Sequence, residues 1–181
     1  VQTCALPIWE SVPLNAAVIV SAPFMLEQCS YHMEKGFSRV YQRYLLNLLK
    51  ANAARKLKAY PDTLPVSLRQ LKKVRRIREF DDLITAKIHG FADAIDYYRQ
   101  CSAMPLLSKI TQPTLIIHAK DDPFMDHHSI PAQEFLPDNV HYQLTEHGGH
   151  VGFVGGTLRR PKMWLEARIP DWLTAYLDGA K

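Results

Sequence analysis

The 181 residues predict an α/β fold, a mostly parallel sheet of about three strands with an inserted helical cap. Three observations carry this expectation. Ala16-Ala17-Val18-Ile19-Val20 and Pro113-Thr114-Leu115-Ile116-Ile117 are short apolar runs without polar alternation, as in strands buried on both faces of a parallel sheet. Between them lie about 85 residues of mainly helical character, positions 24–108, far more than the dozen or so a minimal crossover needs. A third strand-like run, Val140 to Thr145, precedes a Gly148-Gly149 break.

Composition bounds the function classes. Hydrophobic residues at 47% and charged residues at 22% are globular averages. The longest purely aliphatic run, Ala16 to Val20, is far short of the roughly 20 residues that span a bilayer, so no stable membrane insertion is expected. Cys4, Cys29 and Cys101 are odd in number and lack metal-ligand spacing, and no signal peptide opens the chain. Reduced thiols and a cytoplasmic location are the expectation. The net charge of +4 is concentrated in Arg69, Lys72, Lys73, Arg75, Arg76 and Arg78. Such a run is expected to be the solvated face of a helix, with no nucleic acid as partner.

Taken in order, Val1–Ile8 resembles the conceptual translation of a sequencing adapter and is set apart as non-native. Residues 9–181 then form a single domain. Pro13-Leu14-Asn15 leads into the first strand, ended by Pro23. Phe37, Val40, Tyr41, Tyr44, Leu45, Leu48 and Leu49 predict one apolar face of a helix running to Leu57 or Ala59. Tyr60 to Pro65 stops it, and Ser67 with Gln70 has capping-box spacing. Leu68, Leu71, Val74 and Ile77 predict an amphipathic basic helix to follow. Phe91, Ala94, Ile95, Tyr97 and Tyr98 are candidate packing residues. Past His150, Gly152, Gly155 and Gly156 suggest a flexible segment before a terminal helix from Met163 to Leu177, kinked at Pro170.

In a parallel α/β sheet ligands gather at the carboxyl ends of strands. Asp121 and Asp122 follow the second strand, and His147 and His150 follow the third, so an acid and an imidazole meet there. In triad chemistry a carboxylate holds the imidazole in one tautomer while its other nitrogen takes a serine proton. Pattern alone leaves Asp121 beside Asp122 and His147 beside His150 as alternatives, while His118, within the strand, is expected to be packed.

Longer motifs add a resemblance. Phe80-Asp81-Asp82, Thr85, Gly90-Phe91, Tyr97-Tyr98, Pro113-Thr114-Leu115-Ile116, Ala119-Lys120-Asp121-Asp122-Pro123-Phe124 and His147-Gly148-Gly149-His150-Val151-Gly152-Phe153 are together similar to the YheT branch of the α/β-hydrolases, related to the ABHD-type esterases. The resemblance implies the C-terminal part of an α/β-hydrolase fold, with Asp122 as acid and His150 as base. It implies a serine carboxylesterase or acyl hydrolase acting on small-molecule esters of short or medium acyl chains, with no cofactor and no metal. The family's nucleophile elbow, G-x-S-x-G, is absent, since no serine has glycines at both −2 and +2. Gly36-Phe37-Ser38-Arg39-Val40 is half a match and opens a helix. The serine and the oxyanion hole are therefore expected upstream of Val1, in an N-terminally truncated and inactive chain. Two other classes compete: a metal-dependent hydrolase built on Asp121, Asp126, His127, His128, His141, His147 and His150, and a noncatalytic module binding through the basic helix. Oligomeric state has no signature in the sequence.

Overall fold

The structure is a computed structural model describing residues 14–126, 129–157 and 159–177. Val1–Ile8, with Cys4, and Pro13 of the first strand's lead-in lie outside the described residues, as do His127 and His128. Two compact units emerge. A helical unit comprises Met25–Ser102 and Pro123–Met125; a sheet unit comprises the described residues up to Phe24, Ala103–Asp122, and those from Asp126 onward.

The helical unit contains α1 (Leu26–His32), α2 (Ser38–Ala59), α3 (Leu68–Lys73), α4 (Ile77–Phe80), a π-helical turn (Asp81–Thr85), α5 (Ala86–Ile88) and α6 (Ala94–Cys101). Leu46, Leu57, Val66, Leu71, Phe80 and Ile84 are central to its core. The buried side of α2 carries Ser38, Gln42, Leu46, Ala53 and Leu57, which corrects the expected face. Phe37, Val40, Tyr41, Tyr44 and Leu48 are exposed instead. Gln42 explains the misreading: its Nε2 donates to the Met33 carbonyl at 3.3 Å and its Oε1 accepts from the Ile77 amide at 3.2 Å. A polar residue with both ends paired occupies a core position at little cost.

The expected basic helix is also shorter. The Ser67 capping box forms, with the Gln70 amide donating to Ser67 Oγ at 3.3 Å and the Ser67 amide to Gln70 Oε1 at 2.9 Å. Yet α3 ends at Lys73, because Val74 turns to an extended ψ of 128°. Lys50 Nζ donates to the carbonyls of Lys72 at 3.1 Å and Val74 at 2.7 Å, satisfying groups left open at that end. The basic run is thereby divided between α3, the break and α4 and makes no single helix face.

In the sheet unit, β1 (Ala17–Val20), β2 (Thr114–Ala119) and β3 (Val140–Thr145) pair in parallel, in the order β1-β2-β3. Register sets Ile19 opposite Ile116, and Ile116 opposite Tyr142. Every residue of β2 is buried, the apolar Leu115, Ile116 and Ile117 together with the polar Thr114 and His118. Alternate side chains serve opposite faces. Leu115, Ile117 and Ala119 pack with Phe153, Trp164 and Trp172, whereas Ile116 packs with Phe24, Leu107 and Leu136. A 3₁₀ turn (Met104–Lys109) covers the second face, and the terminal helix α7 (Trp164–Leu177), with Pro170 inside it, covers the first. The segment expected to be flexible forms an antiparallel hairpin, β4 (Val154–Thr157) with β5 (Arg160–Met163). Both strands are exposed, so no apolar alternation announces them. Gly156, within β4 opposite Pro161, has φ 82°, and a Cβ there would lie 2.5 Å from the Arg160 carbonyl oxygen.

Candidate active site

Asp122 is delivered by the turn that ends β2, its amide donating to the Ala119 carbonyl at 3.3 Å. Its carboxylate is fully buried, and Oδ2 lies 2.9 Å from Nδ1 of His150, whose side chain is 37% exposed. A carboxylate oxygen accepts, so this bond selects the Nδ1–H tautomer and leaves the lone pair on Nε2. The arrangement can orient an imidazole, take a proton at Nε2 and stabilise the resulting imidazolium.

The two alternatives, Asp121 and His147, form their own pair with a different character. Asp121 Oδ1 accepts from the amides of Gly148 at 2.9 Å and Gly149 at 2.8 Å, and Oδ2 lies 3.5 Å from His147 Nδ1. Slight burial would raise the Asp121 carboxyl, but the Gly149 and Gly148 amides and the His147 ring outweigh it and hold the group below the usual carboxylate range. His147 is 90% exposed. Asp121 thus clamps the glycine loop that carries His150. The loop has little slack: a Cβ on Gly148 would meet the Phe153 ring at 2.7 Å and Ala119 Cβ at 2.9 Å. The Phe153 amide closes the loop on the Gly148 carbonyl at 2.9 Å, and its ring stacks on Trp164 at 5.9 Å.

His118 is packed. Its Nε2 faces the Ala22 carbonyl at 3.0 Å, so that nitrogen donates, and Nδ1 accepts from the Tyr142 hydroxyl at 2.9 Å. Burial pushes its pKa down to about 4, against the Ala22 carbonyl and Asp122, which favour the charged form. A neutral imidazole therefore lies under the strand ends. Sequence reasoning missed Ser21, which ends β1 at φ 52°, is buried, and has an Oγ without a hydrogen-bond partner among the described residues. Such φ values are uncommon outside glycine, and the only sequence signal was a small polar residue between a strand and Ala22-Pro23.

Of the metal alternative's described residues, Asp121 meets His147 and nothing gathers the others around that pair. His141 packs edge-on against Trp172, with ring centroids 5.0 Å apart. Among the described residues no three His, Cys, Asp or Glu side chains gather to hold a metal ion. In the basic run, Arg76 and Arg78 pair with Glu34 at 3.5 and 3.9 Å.

Comparison with known proteins gives the same architecture a lineage. The sequence is 81% identical over 168 residues to "Putative esterase YheT" of Escherichia coli (strain K12), covering 93% of this chain and 49% of that protein. It is 28% identical over 172 residues to human "Phospholipase ABHD3", covering 94% and 42%. With the "Monoacylglycerol lipase" of Saccharomyces cerevisiae (strain ATCC 204508 / S288c) it shares 33% over 171 residues, covering 91% and 37%. The chain spans at most about half the length of these relatives. No helix among the described residues is long and apolar enough to cross a membrane. Residues 12–157, most of the chain and all three strands of the parallel sheet, match the model of the alpha/beta hydrolase fold, and the protein belongs to that family.

Proposed function

We propose that Asp122 and His150 are the acid and base of a Ser-Asp-His triad in a carboxylic ester hydrolase, whose nucleophile is supplied by a residue outside these 181. The observation that carries this reading is the 2.9 Å contact between a fully buried carboxylate and a part-exposed imidazole at adjacent strand ends. In the proposed reaction a serine Oγ attacks the acyl carbonyl and passes its proton to His150 Nε2. Asp122 keeps the ring oriented and offsets its positive charge. His150 then returns the proton to the departing alcohol, and water, deprotonated by the same nitrogen, releases the acid. The substrates are short or medium acyl esters, and the setting is cytoplasmic. The 181-residue chain alone is inactive on this reading, and neither cofactor nor metal takes part.

A single polypeptide joining the upstream half of the E. coli relative to this chain tests the assignment. It is expected to hydrolyse p-nitrophenyl butyrate and to be labelled by a serine-directed phosphonate, while the 181-residue chain does neither. His150→Ala should remove turnover by a factor on the order of 10⁴ or more with the fold unchanged by circular dichroism. A joined chain that keeps its rate after His150→Ala would sink the proposal.

A further inference from the structure

The exposed stripe on α2 has no part in the chemistry above. Phe37 is 73% exposed and Tyr44 64%, and Val40, Tyr41 and Leu48 are exposed with them. Their three- and four-residue spacing puts them on one helix face. Arg39, Arg43, Lys50, Arg55, Lys56 and Lys58 make six cations on α2, and the helix carries no carboxylate. Arg43 is three residues from Val40 and four from Arg39 and Asn47, so the cations start where the apolar stripe ends.

That border is a groove. Arg39, Arg43 and Lys50 line a cavity of about 670 Å³ with Arg75 and Arg76 of the break after α3, and its one carboxylate is Glu34. Glu34 is already engaged by Arg76 and Arg78. Among the described residues, the guanidinium groups of Arg39, Arg43 and Arg75 make no ion pair with a carboxylate, while the Arg75 backbone amide donates to Glu79 Oε2 at 2.7 Å. Lys50 feels the excess: burial and the Arg75 charge lower its pKa, with Glu79 opposing. A cation-lined groove beside a stripe of tyrosine, phenylalanine and aliphatic side chains suits a ligand that is anionic at one end and apolar at the other, repeated over a plane. A soluble anion would use the groove and leave the stripe in water.

We propose that the helical unit docks α2 on an anionic phospholipid surface, with a headgroup phosphate between Arg39, Arg43 and Arg75 and with Phe37, Tyr44 and Leu48 in the interfacial zone. The contact is peripheral and independent of the ester chemistry.

Vesicle flotation of the 181-residue chain tests it without reading hydrolysis, so its failure leaves the Asp122–His150 proposal untouched. Retention on vesicles containing about one third phosphatidylglycerol should exceed that on phosphatidylcholine alone by about tenfold or more, and fall as salt is raised. Arg43→Glu with Arg75→Glu should remove that preference. Tyr44→Ser with Leu48→Ser should weaken retention at least several-fold with the charges intact. Equal retention on neutral and anionic vesicles would overturn the proposal, as would charge reversal without effect. Retention abolished by added inorganic phosphate alone, with the Tyr44 and Leu48 changes silent, would also overturn it and leave a soluble-anion site. All these residues are exposed groove or stripe positions, and the salt and phosphate arms on the unchanged chain decide the matter if a variant misfolds.

Discussion

Each of the two units draws an aspartate out of solvent near the break of a regular element, Asp81 in part and Asp122 fully, and the partners differ. In the helical unit Asp81 accepts from the Tyr98 hydroxyl at 2.6 Å and from Thr85 Oγ1 at 2.7 Å. In the sheet unit Asp122 meets an imidazole at 2.9 Å. Hydroxyls of this kind stay protonated near neutrality, and the Tyr98 hydroxyl is pushed higher still by burial and by Asp81 itself. Burial accordingly raises the Asp81 carboxyl despite both donors. Asp81 is a clamp that fixes the π-helical turn against α6. Asp122 is joined to a group that can gain and lose a proton at the solvent side. A carboxylate withdrawn from solvent is thus a site or a strut according to its partner.

The largest effect should separate the two carboxylates by rate. In the joined esterase, Asp122→Asn should lower kcat by about 10⁴, the scale on which a wrong tautomer is costly in triad enzymes, whereas Asp81→Asn should leave kcat within about threefold. Comparable losses in steady-state assays of both variants, with both folded, would erase the distinction.

Acid should next affect the units oppositely. An unfolded chain protonates His118 near pH 6.5, the folded sheet unit only near 4, so in that window the unfolded state binds more protons and stability falls as pH falls. The loss is roughly 3 kcal/mol across the window. Asp81 has the reverse sign: its raised folded-state pKa favours folding in acid, and that contribution is lost as pH rises through it. Hydrogen exchange at several pH values should show β1 to β3 losing protection on acidification while the π-helical turn gains relative to it. His118→Gln should flatten the sheet unit's slope, and an unchanged slope would contradict the burial-lowered pKa of His118.

Smaller effects follow within the helical unit. Tyr98→Phe leaves Asp81 with one hydroxyl and should cost about 1–3 kcal/mol in urea unfolding, with exchange faster around Asp81–Thr85. Ser67→Ala removes the capping box of α3 and should cost about 1 kcal/mol. If either change altered the exchange of β2 instead, the assignment of these contacts to the helical unit would be wrong.

Legibility in the sequence followed the same division. β1 to β3, their parallel pairing and the strand-end acid and imidazole were readable because a fully buried strand is spelled as an apolar run and a strand end as a turn. Which acid faces which imidazole was not: Asp121 and Asp122 are adjacent, and only the resemblance favoured Asp122. In three dimensions Asp121 is spent on the Gly148 and Gly149 amides, a role that backbone partners never announce in sequence. In α2 the apolar stripe pointed away from the core because Gln42 occupies the buried side. The β4–β5 hairpin escaped since neither strand buries a face, and Ser21 because a left-handed non-glycine residue leaves no compositional mark.

The central claim is the bond between Asp122 and His150, and nitrogen-15 NMR of the histidine ring tests it most directly. With uniformly labelled joined protein at pH 7.5 or so, His150 should show the Nδ1–H tautomer, a strongly downfield Nδ1 proton, and loss of that proton signal in Asp122→Asn. An Nε2–H tautomer at His150, or an Nδ1 proton unmoved by Asp122→Asn, would contradict the account.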